Sequence, residues 1–160
     1  MKGSFDVDSV EETWALAREF AKELSPGDIV CLEGDLGAGK TTFVQGLAAA
    51  LGVKGRVTSP TFCIVQEHAG PPAAEAGGDS ASGGRRHVLL VHMDLYRLHG
   101  EDDVLAIGWE DYLSRGAILA VEWPERAGSL IPPDARHVAF LHMGEENRRI
   151  RIDIDDTKSV

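Results

Sequence analysis

Hydrophobic positions recur along the chain in two rhythms, and each change of rhythm marks an element. Val10, Trp14, Ala17, Ala21 and Leu24 return at helical spacing. "SVEE" at 9–12 opens that helix as a capping box, with Ser9 at the N-cap and Glu12 at N3, and "SPG" at 25–27 stops it. "DIVCLE" at 28–33 is a short run of β-formers. A glycine-rich loop follows, then a helix from Lys40 to Leu51 that Gly52 ends. "TFCIVQE" at 61–67 alternates and reads as a strand, and "HVLLVHMD" at 87–94 as another. Residues 101–114 predict a helix with acids at its start and Val104, Leu105, Trp109, Tyr112 and Leu113 on one side. "AILAVEW" at 117–123 is almost continuously apolar, as in a buried central strand. "RHVAFLHM" and "RRIRIDI" flank "GEEN" and read as a terminal hairpin.

Strands alternating with helices, then an antiparallel hairpin, predict an α/β layered domain with a central mixed, largely parallel sheet. At 160 residues the chain suits one domain with a real core, spanning 1–160. The stretch 69–86, "AGPPAAEAGGDSASGGRR", has almost no large apolar residue and reads as a flexible surface loop between two strands. A lid that carries Arg85 and Arg86 to phosphate is the functional alternative to a merely solvated loop.

Composition narrows the class. No apolar stretch is long enough to span a bilayer, and "MKGSFDVDSV" lacks the apolar segment of a secretory signal. Cys31 and Cys63 each fall in a predicted strand and read as buried free thiols in a reducing cytoplasm. With 26 acids against 16 bases the formal net charge is −10. Such a chain repels polyphosphate as a whole, which argues against stand-alone RNA or DNA binding and suits a basic protein partner.

The chemistry begins at "GDLGAGKT", which fits G-x-x-x-x-G-K-[ST] from Gly34 to Thr41. A strand precedes it and a helix follows, as the motif requires. Backbone N–H groups of Gly34, Asp35, Leu36, Gly37, Ala38 and Gly39 are candidates to face phosphate oxygens, helped by the helix dipole. Lys40 is expected to reach the β- and γ-phosphates, and the Thr41 hydroxyl to ligate magnesium. Two strands end on a carboxylate, Asp94 and Glu122, at the end where open α/β sheets place ligands. One acid of the pair can hold the metal while the other orients the attacking water, and the sequence does not decide which.

"TSPTF" at 58–62 sets three hydroxyls around Pro60. Thr58, Ser59 or Thr61 could sense a γ-phosphate, or the segment could be a capped turn. The guanine-recognition element N-K-x-D needs an asparagine, and the only one is Asn147, in "ENRRI"; "DLYR" stands where D-x-x-G would follow the strand. ATP is therefore the expected nucleotide.

"GDLGAGKTTF", "SPTF", "HMDLYRL", "DYL" and "VEWPE" occur in that order. Together they resemble the bacterial TsaE (YjeE) family, the small ATPase of the tRNA threonylcarbamoyladenosine pathway, over roughly residues 9–154. The resemblance implies a P-loop fold, with Lys40, Thr41 and Thr42 at the phosphates and magnesium. It implies that Asp94 and Glu122 serve ATP hydrolysis, that Trp123 stands beside the second acid, and that Ser59, Pro60 and Thr61 form a switch-like loop. Thr13, in "SVEET", matches a segment lying near the adenine. The implied role is an accessory ATPase that binds a TsaB–TsaD complex and sustains its turnover on tRNA, with the partners holding the RNA. The loop at 69–86 is longer than the family leads one to expect. A small-molecule P-loop kinase and a non-hydrolysing ATP-dependent adaptor are the rival readings.

Overall fold

A computed structural model describes residues 1–35, 37–53, 57–60, 63–72 and 87–154. Its elements in chain order are β1 (Gly3–Val7), α1 (Val10–Ala21), β2 (Ile29–Glu33), α2 (Lys40–Ala50), β3 (Val65–Pro72), β4 (His87–Asp94), α3 (Glu101–Ala106), α4 (Trp109–Ser114), β5 (Ile118–Glu122), β6 (Arg136–His142) and β7 (Arg148–Ile152). A 3₁₀ segment kinked at Gly128, Pro124–Leu130, follows β5.

The strands form one seven-stranded sheet in the order β1-β7-β6-β2-β5-β4-β3. The central pairs β6–β2, β2–β5 and β5–β4 are parallel, and β3 and the β6–β7–β1 ribbon add antiparallel edges. The mixed, largely parallel sheet and the terminal hairpin are thus as expected. Every residue of β5 is buried, which explains its unbroken apolar run. Successive side chains of β2 serve opposite faces: Val30 and Leu32 join Phe20, Phe43 and Leu47 beneath α1 and α2, while Ile29 and Cys31 join Val104 and Trp109 beneath α3 and α4.

The predicted N-cap of α1 is in place. Ser9 Oγ accepts from Glu12 N at 3.1 Å, and Glu12 Oε2 reaches back to Asp8 N at 2.8 Å. The face that α1 buries differs from the expected one. Thr13, Ala17, Phe20 and Ala21 point inward, while Val10 and Trp14 are exposed. The crossing with α2 decides this. A Cβ on Gly46 would stand 2.7 Å from Ala17 Cβ and 3.1 Å from Trp14 Cα, so the helices meet backbone to backbone.

Three further expectations are corrected. The helix foreseen over 101–114 divides at Gly108, whose φ of 101° caps α4, and Leu105 is left exposed. The strand foreseen at 61–67 starts only at Val65, because Cys63 N donates to Pro60 O at 3.2 Å and closes a turn. Cys63 is consequently exposed, while Cys31 is buried and its thiol is pushed up to about 12 by burial. The loop foreseen at 69–86 yields its first residues to β3, and residues 73–86, with Arg85 and Arg86, lie outside the described residues. The periodicity gave no sign of β1, whose pairing partner β7 lies at the far end of the chain.

Gly46→Ala tests the helix crossing. Alanine gains ~1 kcal/mol of helix propensity over glycine, but overpacking against immovable atoms costs about 1–3 kcal/mol. A net destabilisation of about 1 kcal/mol is expected from denaturant titration, smaller in an Ala17→Gly background. A variant more stable than the parent would show that the helices can separate freely.

Candidate active site at the carboxyl end of the parallel strands

The glycine loop leaves β2 at Gly34 and enters α2 at Lys40. Gly34 lies against β6 so closely that a Cβ would meet Phe140 O at 2.7 Å. At Gly37, with φ of 79°, a Cβ would meet nothing within 4 Å. The loop is thus pinned at Gly34 and open at Gly37, which lines a cavity a ligand can enter. No side chain caps α2, so its first N–H groups remain available at the positive end of the dipole.

Lys40 lies buried behind the loop. Its Nζ donates to Gly34 O at 2.6 Å and stands 3.3 Å from Glu122 Oε1. Glu122, at the end of β5, is also buried, and its Oε2 accepts from His92 Nε2 at 2.8 Å. Asp94 ends β4 in register with Glu122, so the two acids are neighbours across one strand gap. Asp94 Oδ1 accepts from Tyr96 N at 3.0 Å, and Asp94 N donates to Ile64 O at 2.9 Å. Next to Glu122, Trp123 adopts left-handed backbone (φ 57°, ψ 54°) and packs on Tyr96 with ring centroids 4.8 Å apart.

Two cavities flank the loop. One of about 750 Å³ is lined by Gly34, Asp35, Lys40, Asp94, Glu122 and Trp123 among others. Another of about 370 Å³ is lined by Thr13, Gly37, Gly39, Thr42, Glu146 and Arg148 among others. The sequence candidates therefore divide between an acidic chamber and a chamber on the α1 side. Ala38 belongs to the core, so only its backbone serves the loop. Thr41 is half-buried in the first turn of α2. Ser59 is exposed and lines neither cavity. Leu36 and Thr61 lie outside the described residues.

Comparison with known proteins adds to this geometry. The profile of the family described as "Threonylcarbamoyl adenosine biosynthesis protein TsaE" matches residues 7–150. The chain belongs to the TsaE family. A "tRNA threonylcarbamoyladenosine biosynthesis protein TsaE" of Bacillus subtilis (strain 168) is 36% identical over 140 residues, 88% of this chain and 78% of that protein. One of the same name from Streptomyces coelicolor is 42% identical over 150 residues, 81% of this chain and 90% of that one. The crystal structure of YdiB from Bacillus subtilis superposes with a TM-score of 0.69 at 30% identity, over 95% of this chain and 84% of that one. The family is one of tRNA threonylcarbamoyladenosine biosynthesis. No described helix is long and apolar enough to cross a membrane.

In this TsaE-family chain the sequence reading missed His92. The residue sits two positions before Asp94, on the same face of β4, and that spacing was its only signal. Its importance shows only when β5 brings Glu122 beside it. Burial alone would raise the Glu122 carboxyl, but the His92 hydrogen bond and the Lys40 ammonium outweigh it and hold the group below the usual carboxylate range.

That depression has a sign. A carboxyl lowered in the fold stabilises above its unfolded value and loses this contribution as pH falls through the lowered folded value. In Glu122→Gln the fall of melting temperature below about pH 4.5 is therefore expected to be shallower than in the parent. Parallel acid limbs in thermal melts would show that the pair contributes nothing to stability.

Proposed function

We propose that this chain is an ATPase that serves tRNA threonylcarbamoyladenosine synthesis as an accessory subunit, sustaining the turnover of a TsaB–TsaD complex. The observation that carries the reading is the Lys40–Glu122 pair at 3.3 Å, with Asp94 in register beside it, directly behind a glycine loop that opens a helix. A buried cation held by one carbonyl and one carboxylate is poised to exchange both for phosphate oxygens.

In this reading the N–H groups from Gly34 to Thr42 cradle the phosphates, and Lys40 turns from Gly34 O toward them. The chamber lined by Thr13, Gly37, Gly39 and Thr42 takes the base. Thr41 and Asp94 would hold magnesium, which supplies charge neutralisation between the phosphates. The donor set suits that ion. Among the described residues no cluster of three or more His, Cys, Asp or Glu could hold a metal, and Mg²⁺ ordinarily uses one or two carboxylates with phosphate and water. Glu122 is better placed for the water. Both its oxygens are engaged by side chains, and loss of Lys40 to phosphate leaves Oε1 ready to accept from an attacking water. The roles of Ser59 and Thr61 as a γ-phosphate sensor, and of Trp123 beside the acid, belong to the same proposal. An acidic cytoplasmic chain of net charge −10 leaves the tRNA to its partners.

ATP turnover measured with and without a TsaB–TsaD pair is the deciding experiment. Strong stimulation is expected, and its absence at all partner concentrations would defeat the accessory role. Lys40→Ala is expected to lose Mg-ATP binding by calorimetry. Glu122→Gln is expected to bind ATP like the parent while turnover falls about a hundredfold. Near-normal turnover would move the water-orienting role to Asp94 or to a partner residue.

A further inference from the structure

The residue that fastens Glu122 has an incomplete hydrogen-bond set. His92 is wholly buried, and its Nε2 donates to Glu122 Oε2, yet its Nδ1 is buried with no partner. Directly opposite His92 in the antiparallel β3–β4 pair stands Gln66. Residues so opposed share a face, with Cβ atoms roughly 4.5–5.5 Å apart. Gln66 carries a second orphan. Its amide nitrogen reaches Thr58 Oγ1 at 3.0 Å and Cys63 Sγ at 3.4 Å, while its Oε1 is buried with no partner.

Buried polar atoms in folded proteins are nearly always paired, so these two orphans, with a third at His68 Nε2 two residues along β3, call for an account. A half-turn of the Gln66 amide exchanges its oxygen and nitrogen. In that orientation the NH₂ would be able to donate to Nδ1 of an imidazole protonated at Nε2, and the oxygen to accept from the Thr58 hydroxyl. Such a bond would join the links Lys40–Glu122, Glu122–His92 and Gln66–Thr58 into one chain of donors and acceptors.

We propose that His92 and Gln66 are positioning residues that fix the Glu122 carboxylate and tie it to the loop at 57–60, so that acid and loop rearrange together. The proposal rests on the ATPase reading for its consequence, since it is the departure of Lys40 toward phosphate that would change the demands on Glu122. The loop has a second tether leading back to the same place: Gln45 Nε2, on α2, donates to Val57 O at 3.1 Å. The segment after the P-loop helix is thus held from α2 on one side and from β3 on the other. A change at Lys40 reaches it by both routes, and only the route through His92 passes through the candidate catalytic acid.

The test uses His92→Leu, His92→Gln, Gln66→Leu and the double Leu variant. His92→Leu is expected to lower kcat about 10–100-fold, as loss of a supporting partner commonly does, with Mg-ATP affinity from calorimetry little changed. His92→Gln keeps a donor toward Glu122 and is expected to recover most of the rate. Gln66→Leu is expected to cost less, and the double variant no more than His92→Leu alone, because the two act in one chain. In the nucleotide-free protein, both Leu variants are expected to speed hydrogen exchange over 57–60 relative to the parent. Additive losses, equal damage from His92→Gln and His92→Leu, or unchanged exchange at 57–60 would each overturn the proposal. Gln66→Leu, on the edge strand, carries the exchange test if His92→Leu does not fold. A parent chain that binds no ATP would refute the site reading, while the exchange comparison would still decide the tether.

Discussion

A lysine ammonium buried to 9% exposure is the constraint around which the site is built. Removing such a charge from water costs several kcal/mol unless it is both paired and hydrogen-bonded. Lys40 meets that demand with Gly34 O and Glu122 Oε1, and Glu122 meets its own with Lys40 and His92. None of these partners comes from the same element as another. The carbonyl belongs to the loop after β2, the carboxylate to the end of β5, and the imidazole to β4. The parallel register of these strands is what makes the three converge. The sheet order, with β5 between β2 and β4, therefore matters to the chemistry as much as to the core.

What could be read from the sequence follows the same division. The loop, its lysine and the two strand-end acids were legible because each is a local pattern: a spacing within a few residues, or a carboxylate closing an apolar run. β5 was legible because burial on both faces leaves an unbroken apolar signature. The inward face of α1 was not. Two overlapping stripes share Ala17 and Ala21, and only the approach of Gly46 from α2 selects the one containing Phe20 over the one containing Trp14. Cys63 was misplaced for a similar reason, since one backbone hydrogen bond to Pro60 outweighs the alternation of the residues around it. His92 and Gln66 are the instructive omissions. Each is an ordinary residue in an ordinary strand until its neighbour across the sheet is known, and neighbours on separate strands leave no periodic trace.

The charge distribution gives the site a direction. Glu33, Asp35, Asp94, Glu122 and Glu125 line the larger cavity, with Lys40 at its base. In the proposed ATPase reading, phosphate would add negative charge to a chamber already rich in carboxylates, and a divalent cation would offset it. Tyr96 and Trp123 stand exposed at this same mouth. Large aromatics left in contact with water beside a functional cleft are typical of surfaces that proteins cover on assembly. In the proposed accessory role, an acidic mouth with an aromatic pair would suit a basic partner.

The strand ends beside the two acids are cross-tied at the backbone. Left-handed backbone at a residue as bulky as tryptophan costs of order 1–3 kcal/mol, and Trp123 adopts it immediately after Glu122. The strain is offset locally. Trp123 packs on Tyr96, Tyr96 N donates to Asp94 Oδ1, and Leu95 N donates to Glu122 O at 3.1 Å. These contacts stitch the turn after β4 to the turn after β5, so the backbones at the two acids are held to each other. Lys40 is fastened differently, by two side-chain interactions on a flexible stem, both of which phosphate can replace. The site thus combines two cross-tied strand ends with a lysine whose two partners phosphate oxygens can replace. That is the arrangement in which arrival of one ligand changes the partners of Glu122 without moving its backbone.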